Sequence, residues 1–399
     1  MARETADVVI VGGGCMGTST ALALAERGGG RVVLLEKGEL ASGATGRSSA
    51  ILRQHYAFPA TARLARQSLE VFRNFDDVVG GDSGYVNTGY VVGVPPEDSA
   101  TLRDNVAMLR GEGVRTELVT PEDLRRLVPS VNTVDLGLAA YEADSGYADP
   151  HATTMAFARA ARRHGATIRT QTLVRRLLAR AGRVTGVETA DSVIEAPVVI
   201  LAANAWNVAL ARTVGVELPV GAYLHEICVL DRPADFPGAG HPVYSDLVQI
   251  AYFRPEGANL TLVGSGLHEV SAVADPDHCP EAPRATTIDR FAGWAVQRFP
   301  ALARAAYRGG YAAFYDVSAD AQFILDAVPG VAGVYVAVGF SGHGFKHSPL
   351  IGRLMADLVL GARGDSTGTD LAFFSLARFT DGGRGHVSPF RYSRPRVTA

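Results

Sequence analysis

The sequence predicts an α/β chain in which a doubly wound domain is interrupted by an antiparallel one. Three observations predict it. Helix and strand patterns alternate at both ends of the chain. Residues from about 216 to 318 are rich in period-2 alternation and turns. An apolar strand runs into a glycine-rich turn and then a helix twice, once toward each terminus. With 399 residues the chain has the length for two domains.

The elements follow in order. Val8–Val11 is a short apolar, β-branched run, and ALALAER after it suits a helix packed on a sheet. Glycines 28–30 close that helix, and Val32–Leu35 reads as a second buried strand, which completes a βαβ unit. The small polar stretch ASGATGRSS (41–49) is too weakly periodic to be a strand. A helix is expected over 64–75, a hairpin over 84–93 (GYVNTGYVVG), a short capped helix at Pro121–Leu127, and an amphipathic helix over 155–164. Strand patterns follow at 167–172, 184–188 and 198–202. The segment VYVAVGF (334–340) is a late buried strand that feeds SGHGFKHSPLIGRLMADLVLG, a glycine-rich turn and a helix. The Arg/Gly/Ser/Pro-rich end predicts a loosely held or disordered tail over 376–399.

Composition narrows the function classes. The formal net charge is −3, with 47% hydrophobic and 20% charged residues, so no basic field points to nucleic acid or to an anionic membrane. The three cysteines, Cys15, Cys228 and Cys279, form no CxxC pair and suggest neither a disulfide framework nor a metal site. The opening MARETADVV has no basic n-region, and glycines break the apolar run behind it, so it reads as neither a signal peptide nor a membrane span. A cytoplasmic protein is expected.

Gly12, Gly14 and Gly17 form GxGxxG between the first strand and its helix. The first allows a tight turn, the second lets a pyrophosphate approach the backbone, and the third lets the helix pack closely. The helix N-terminus then offers N–H donors to the phosphates. Glu36 ends the second strand, where a carboxylate can accept from both ribose hydroxyls of an adenosine. The motif alone does not separate FAD from NAD. The turn FSGHGFKHS (340–348) offers a second set of backbone donors to an anion, which suits an extended cofactor held at both ends. Only Lys37 and Lys346 are lysines in a chain with 38 basic residues, and Lys346 sits at a helix start, where a cation needs an anionic partner.

The stretches VVIVGGGCMG, LLEK, ASGATGRSSAILRQHY, LAANAWN and GFSGHGFKHSP, in order from about residue 6 to 362, resemble the D-amino-acid oxidase superfamily of FAD enzymes. Within it the likeness is to the sarcosine oxidase and dimethylglycine dehydrogenase branch. The resemblance implies a Rossmann-like FAD-binding domain over 1–80, 140–215 and 319–375. It would be interrupted by a substrate domain with a large mixed β-sheet over 81–139 and 216–318. It also implies oxidation of a C–N bond in an amino acid by hydride transfer to flavin N5.

Such a reaction needs the α C–H held against the ring and the carboxylate clamped. The resemblance gives Arg53 and Lys346 to the carboxylate, Tyr252 to the space over the flavin, and His343 to the wall of the amine pocket. It assigns Ser42, Thr45, Arg47, Ser48 and Ser49 to the pyrophosphate and isoalloxazine, and the backbone of Val174 to the adenine. Lys37, Ala203, Trp206, Gly342, Gly344, Phe345 and Lys346 complete the cofactor contacts. Four departures stand out. Ala313 occupies the place of a flavin-tethering cysteine, so FAD should be noncovalent. Pro150 occupies the place of an FMN-bonding histidine, so a second flavin is not expected. Thr261 occupies the place of an oxygen-activating lysine. Asn204 replaces a more usual glycine or threonine-glycine.

Three readings stay open: oxidation of a secondary amino acid, a glycine or D-amino-acid oxidase acting on a primary amine, and a flavin-binding subunit that is inactive alone. The partners expected are an amino acid, O₂ or another electron acceptor, and a partner subunit or a second copy.

Overall fold

Val8–Val11 and Val32–Leu35 are buried at every position, as strands covered on both faces must be. The structure, a computed structural model, describes residues 2–238, 240–266, 272–273, 275–361, 366–379, 383 and 385–390. These two strands lie in a six-stranded sheet, ordered Thr167–Arg169, Val32–Leu35, Val8–Val11, Val198–Leu201, Val334–Val338 and Ile324–Ala327. All are parallel but the last. Alternation sorts their side chains. Val8, Ile10 and Leu34 face the helices Cys15–Glu26, Pro150–Arg163 and Ser348–Leu360. Val9, Val11, Val33 and Leu35 face a second, four-stranded sheet that includes Val174–Arg180 and Arg183–Thr189.

The third glycine of the loop shows how tightly the first helix is seated: a Cβ on Gly17 would lie 1.9 Å from the Gly12 carbonyl oxygen. Gly12 itself has φ +115, and its Cβ would lie 2.4 Å from the carbonyl oxygen of Ala202. No other residue fits either place without moving backbone.

The middle of the chain builds an eight-stranded mixed sheet, ordered Ala306–Ser318, Val220–Asp231, Leu260–Ser265, Ala251–Glu256, Val243–Asp246, Tyr90–Val94, Leu138–Glu142 and Glu117–Val119. Its only parallel pairing among the described residues joins Val243–Asp246 to Tyr90–Val94. One face buries Phe253 and Val263 against Phe291 and Phe299 of the helix Ala285–Arg298 and the turn after it. The other face, carrying Tyr90, Ser245, Tyr252 and Tyr315, is turned to the segments 48–58 and 341–346.

Five expectations change. The stretch 84–93 is not a hairpin: Val86–Asn87 pairs with Gly146–Tyr147 in a small three-stranded sheet, and Tyr90–Val94 enters the large one. Gly89, with φ +74, turns the chain between them. The helix expected at 64 starts at Pro59, and the one expected at 155 starts at Pro150, where the Asp149 side chain accepts from Ala152 N. Both begin on a proline at the first helical position, where no N–H is missed. The strand expected over 167–172 is shorter, Thr167–Arg169, because the Thr172 N–H bonds the Glu36 carbonyl and turns the chain toward the adjacent cleft. The tail is packed where it is described: Leu376–Phe379 is a 3-10 helix, and Arg378 forms a buried ion pair with Asp320 at 2.8 Å. Residues 391–399 lie outside the described residues. Among the described residues no helix is long and apolar enough to cross a membrane.

Candidate active site and cofactor cleft

A cleft of about 600 Å³ opens at the carboxyl ends of the parallel strands. Gly12, Gly14, Glu36, Lys37, Ser42, Thr45, Arg47, Val174, Ala203 and Trp206 line it. Gly14 caps the helix Cys15–Glu26 without a side-chain bond, so first-turn N–H groups remain for an anion. Thr45 Oγ1 accepts from Cys15 N at 3.2 Å and draws the 41–49 segment onto the same helix end. Glu36 is locked in place, its Oε2 accepting from Gly13 N (2.6 Å) and its Oε1 from Gly38 N (2.8 Å). Each oxygen keeps a further lone pair for a ribose hydroxyl. An uncapped helix end, a glycine loop without Cβ atoms and an anchored carboxylate fit the diphosphate and ribose of FAD.

Asn204 also finds its reason here. Its φ is +54, a left-handed conformation that asparagine tolerates, and its Oδ1 accepts from Ala205 N at 2.6 Å. The outer rim of the cleft comes from the β-rich domain. Lys37 bonds the Asp277 carboxylate and stands 3.8 Å from the Trp206 ring centroid, while Trp206 Nε1 donates to Asp277 at 3.0 Å. Arg47 pairs with Glu281 at 2.9 Å. Nothing in the sequence marked these two acids, since both lie in the 3-10 turn and loop that cross over from the other domain.

A second cavity, of about 240 Å³, lies between the large sheet and the turn 339–345. Arg53, Lys346, Tyr252 and His343 all line it, as do Ser48, Ser49, Gly342 and Phe345. Among the described residues no aspartate or glutamate does. Lys346 is buried, and its Nζ lies 3.3 Å from the His343 carbonyl oxygen. Desolvation, then the charge of Arg53, pushes its pKa well below the usual lysine value. The half-buried Arg53 lies 4.3 Å from the Tyr56 ring centroid and donates to the His55 carbonyl. His55 stays neutral, because burial and then Arg53 hold its pKa near 3.

Two candidate aromatic residues are engaged as walls. The Tyr252 hydroxyl pairs with His225 Nε2 at 2.9 Å, and its ring lies over Gly264, where a Cβ would fall 2.2 Å from the ring. His343 Nε2–H donates to the Ala321 carbonyl at 2.9 Å, and the ring packs against Tyr56. Tyr315, which the sequence reading passed over, stacks on His225 at 4.1 Å, and Gly342 packs beneath its ring. Its signal was available: Tyr311, Ala313 and Tyr315 alternate onto one face of their strand.

Three expected positions stand elsewhere. Gly17 and Gly344 line neither cavity; Gly344 lies against the Phe340 ring. Thr261 faces away from Tyr252, because Tyr252 pairs with Gly264, three residues on, and the pleat puts Thr261 on the opposite side. There Thr261 Oγ1 bonds His241 Nε2 at 2.8 Å and lies 3.3 Å from Arg232.

The chain has relatives along nearly its whole length. The FAD-dependent oxidoreductase domain-containing protein 1 of Bos taurus is 28% identical over 94% of this chain and 85% of its own length. The sarcosine oxidase subunit beta of an Arthrobacter species is 29% identical over 95% of this chain and 92% of its own. The solved structure of L-proline dehydrogenase from P. horikoshii superposes with a TM-score of 0.86 at 26% identity, covering 95% of this chain and 98% of that one. The model of the DAO family, FAD dependent oxidoreductase, matches residues 7–358, so the chain belongs to that family of FAD-dependent enzymes.

Proposed function

We propose that the chain oxidises the C–N bond of an N-substituted, secondary amino acid to an imine, which water then hydrolyses to an amine and a carbonyl compound. The observation that carries this reading is the lining of the inner cavity: two basic side chains, Arg53 and Lys346, and no carboxylate among its described lining residues. Such a cavity selects a carboxylate and disfavours a protonated amine beside it. The reactive, neutral amine is therefore the form that settles against the tyrosine walls. FAD, when held by the residues of the larger cleft, would supply the hydride acceptor. Arg53 and Lys346 clamp the carboxylate, and Tyr252, Tyr315 and His343 orient the amine without moving a proton.

Two relatives are named for secondary amino acids, N-methylglycine and proline, which supports the substrate class. Ala313 has no sulfur with which to tether the cofactor, so FAD binds noncovalently. Reoxidation goes to O₂, forming hydrogen peroxide, or to a separate acceptor. The cysteines, free among the described residues, fit a reducing compartment such as the cytoplasm. The likeness to a subunit called beta favours a second reading, a flavin subunit that works only with a partner.

The test is the visible spectrum of the FAD-loaded protein without oxygen, before and after N-methylglycine, proline and their primary-amine counterparts. Bleaching by a secondary amine supports the proposal, and the speed of recovery in air separates the two acceptors. Bleaching by primary amines alone would overturn the substrate class. Flavin that stays yellow with every amine would reject oxidation by the chain alone and favour the partner-dependent subunit.

A further inference from the structure

The inner cavity has a wall that no strand or helix of either domain provides. Ser388 and Phe390 line it beside Arg53 and Lys346, and both are buried, at 6% and 5% exposure. Their neighbours Val387 and Pro389 are exposed, Val387 by 63%, so the segment alternates between cavity and solvent and is one residue thick. The Phe390 ring lies 6.3 Å from that of His55, which lines the same cavity.

The segment is anchored and does not merely pass by. Asp320, 5% exposed, accepts from the Ser318 hydroxyl, Gln322 N, the Arg378 guanidinium and His386 N (3.0 Å). Gly385 rests on the same carboxylate, where a Cβ would fall 2.5 Å from Oδ2. The His386 ring stacks on Phe373 at 3.8 Å with planes 6° apart, and its Nε2–H donates to the Phe373 carbonyl at 2.9 Å. Ala321 and Gln322, which follow Asp320, line the cavity. One carboxylate thus holds both an inner wall and the segment closing the outer one.

We propose that residues 385–390 separate the amine pocket from solvent and that Phe390 limits the length of substrate the pocket accepts. This rests on the reading of the cavity as an amino-acid site. A buried aromatic ring fills space that a longer chain would need, and a missing or extra methylene in such a pocket changes affinity by about tenfold or more.

The test uses the oxidised, FAD-loaded full chain at one pH, titrated with straight-chain carboxylates from acetate to hexanoate and read by the shift in flavin absorption. In Phe390→Ala the affinity for hexanoate relative to acetate should rise about tenfold or more over wild type, with Phe390→Leu between them. An unchanged ratio in both variants would overturn the proposal. So would an equal loss of acetate and hexanoate, which would make the segment a prop for the fold. Wild-type protein that binds acetate but is bleached by no amine would sink amine oxidation by the chain alone and leave the wall decided by the carboxylate series. Wild-type flavin unmoved by every carboxylate would overturn both.

Discussion

Lys346 is held in a place that weakens its hold on a proton. Burial, then the charge of Arg53, depresses its pKa, and an arriving carboxylate raises it again. Carboxylate binding should therefore take up a proton and weaken as pH rises above the lysine's depressed pKa, by at most about tenfold per pH unit. Lys346→Met should weaken acetate binding by about tenfold or more and flatten that pH dependence while FAD stays bound. Kd measured across pH decides it; a Met variant with the wild-type profile would remove the lysine from the site. Glu142 behaves in the opposite sense. It is buried, accepts from Gln54 N (2.8 Å) and the Ser145 hydroxyl (2.7 Å), and has its pKa raised to about 7 by desolvation. The folded chain holds a proton that the unfolded chain gives up near 4.5. Its contribution to stability therefore falls as pH rises from about 4.5 to about 7 and is level beyond. In Glu142→Gln the amide oxygen can keep both donors and the amide nitrogen can take the place of Oε1, which has no partner among the described residues. Urea midpoints at pH 5 and pH 8 should then differ less than in wild type. An unchanged difference would place the pH dependence elsewhere.

At the scale of elements, the phosphate loop is the tightest contact and the easiest to break. Gly17→Ala forces a methyl group onto the Gly12 carbonyl, so the helix must retreat from the loop. The purified variant should carry little FAD, read as the ratio of flavin to protein absorbance, and full loading would show that the loop yields. This element was legible because a βαβ unit announces itself locally: strand, glycines, helix and acid all fall within about 30 residues. Pro121–Leu127 was legible for the same reason, with Thr120 accepting from Asp123 N as its cap. Thr120→Ala should cost about 1 kcal/mol in a denaturant titration. The stretch 84–93 misled because alternation sets which face each residue takes but not which sheet receives it. Thr261 misled similarly, since a side in a strand is fixed by the pleat and one step of register reverses it. Tyr90, Ser245 and Phe390 left no signal, because their meeting depends on strand order.

At the scale of the whole molecule, ion pairs span the rim of the cleft. Lys37, Trp206 and Arg47 hold Asp277 and Glu281, which follow the strand Leu260–Ser265 of the large sheet. Exposed pairs are weak singly, and salt screens them. Wild-type protein should release FAD faster at high salt. The double variant Asp277→Ala, Glu281→Ala should release it roughly two- to fivefold faster at low salt and respond little to salt. Fluorescence of released FAD reads both, and equal rates in the two proteins would mean that the rim does not retain the cofactor. The strand order has a further consequence for how the protein is made. Val198–Leu201 pairs with Val8–Val11 on one side and with Val334–Val338 on the other. A nascent chain on the ribosome therefore carries a bare edge in the middle of its nucleotide sheet while residues 202–333, with five of the eight strands of the large sheet, are being translated. Ala337 and Phe340 line the cleft, so it is complete only after that edge is covered, and residues 385–390, the proposed wall of the inner cavity, emerge later still.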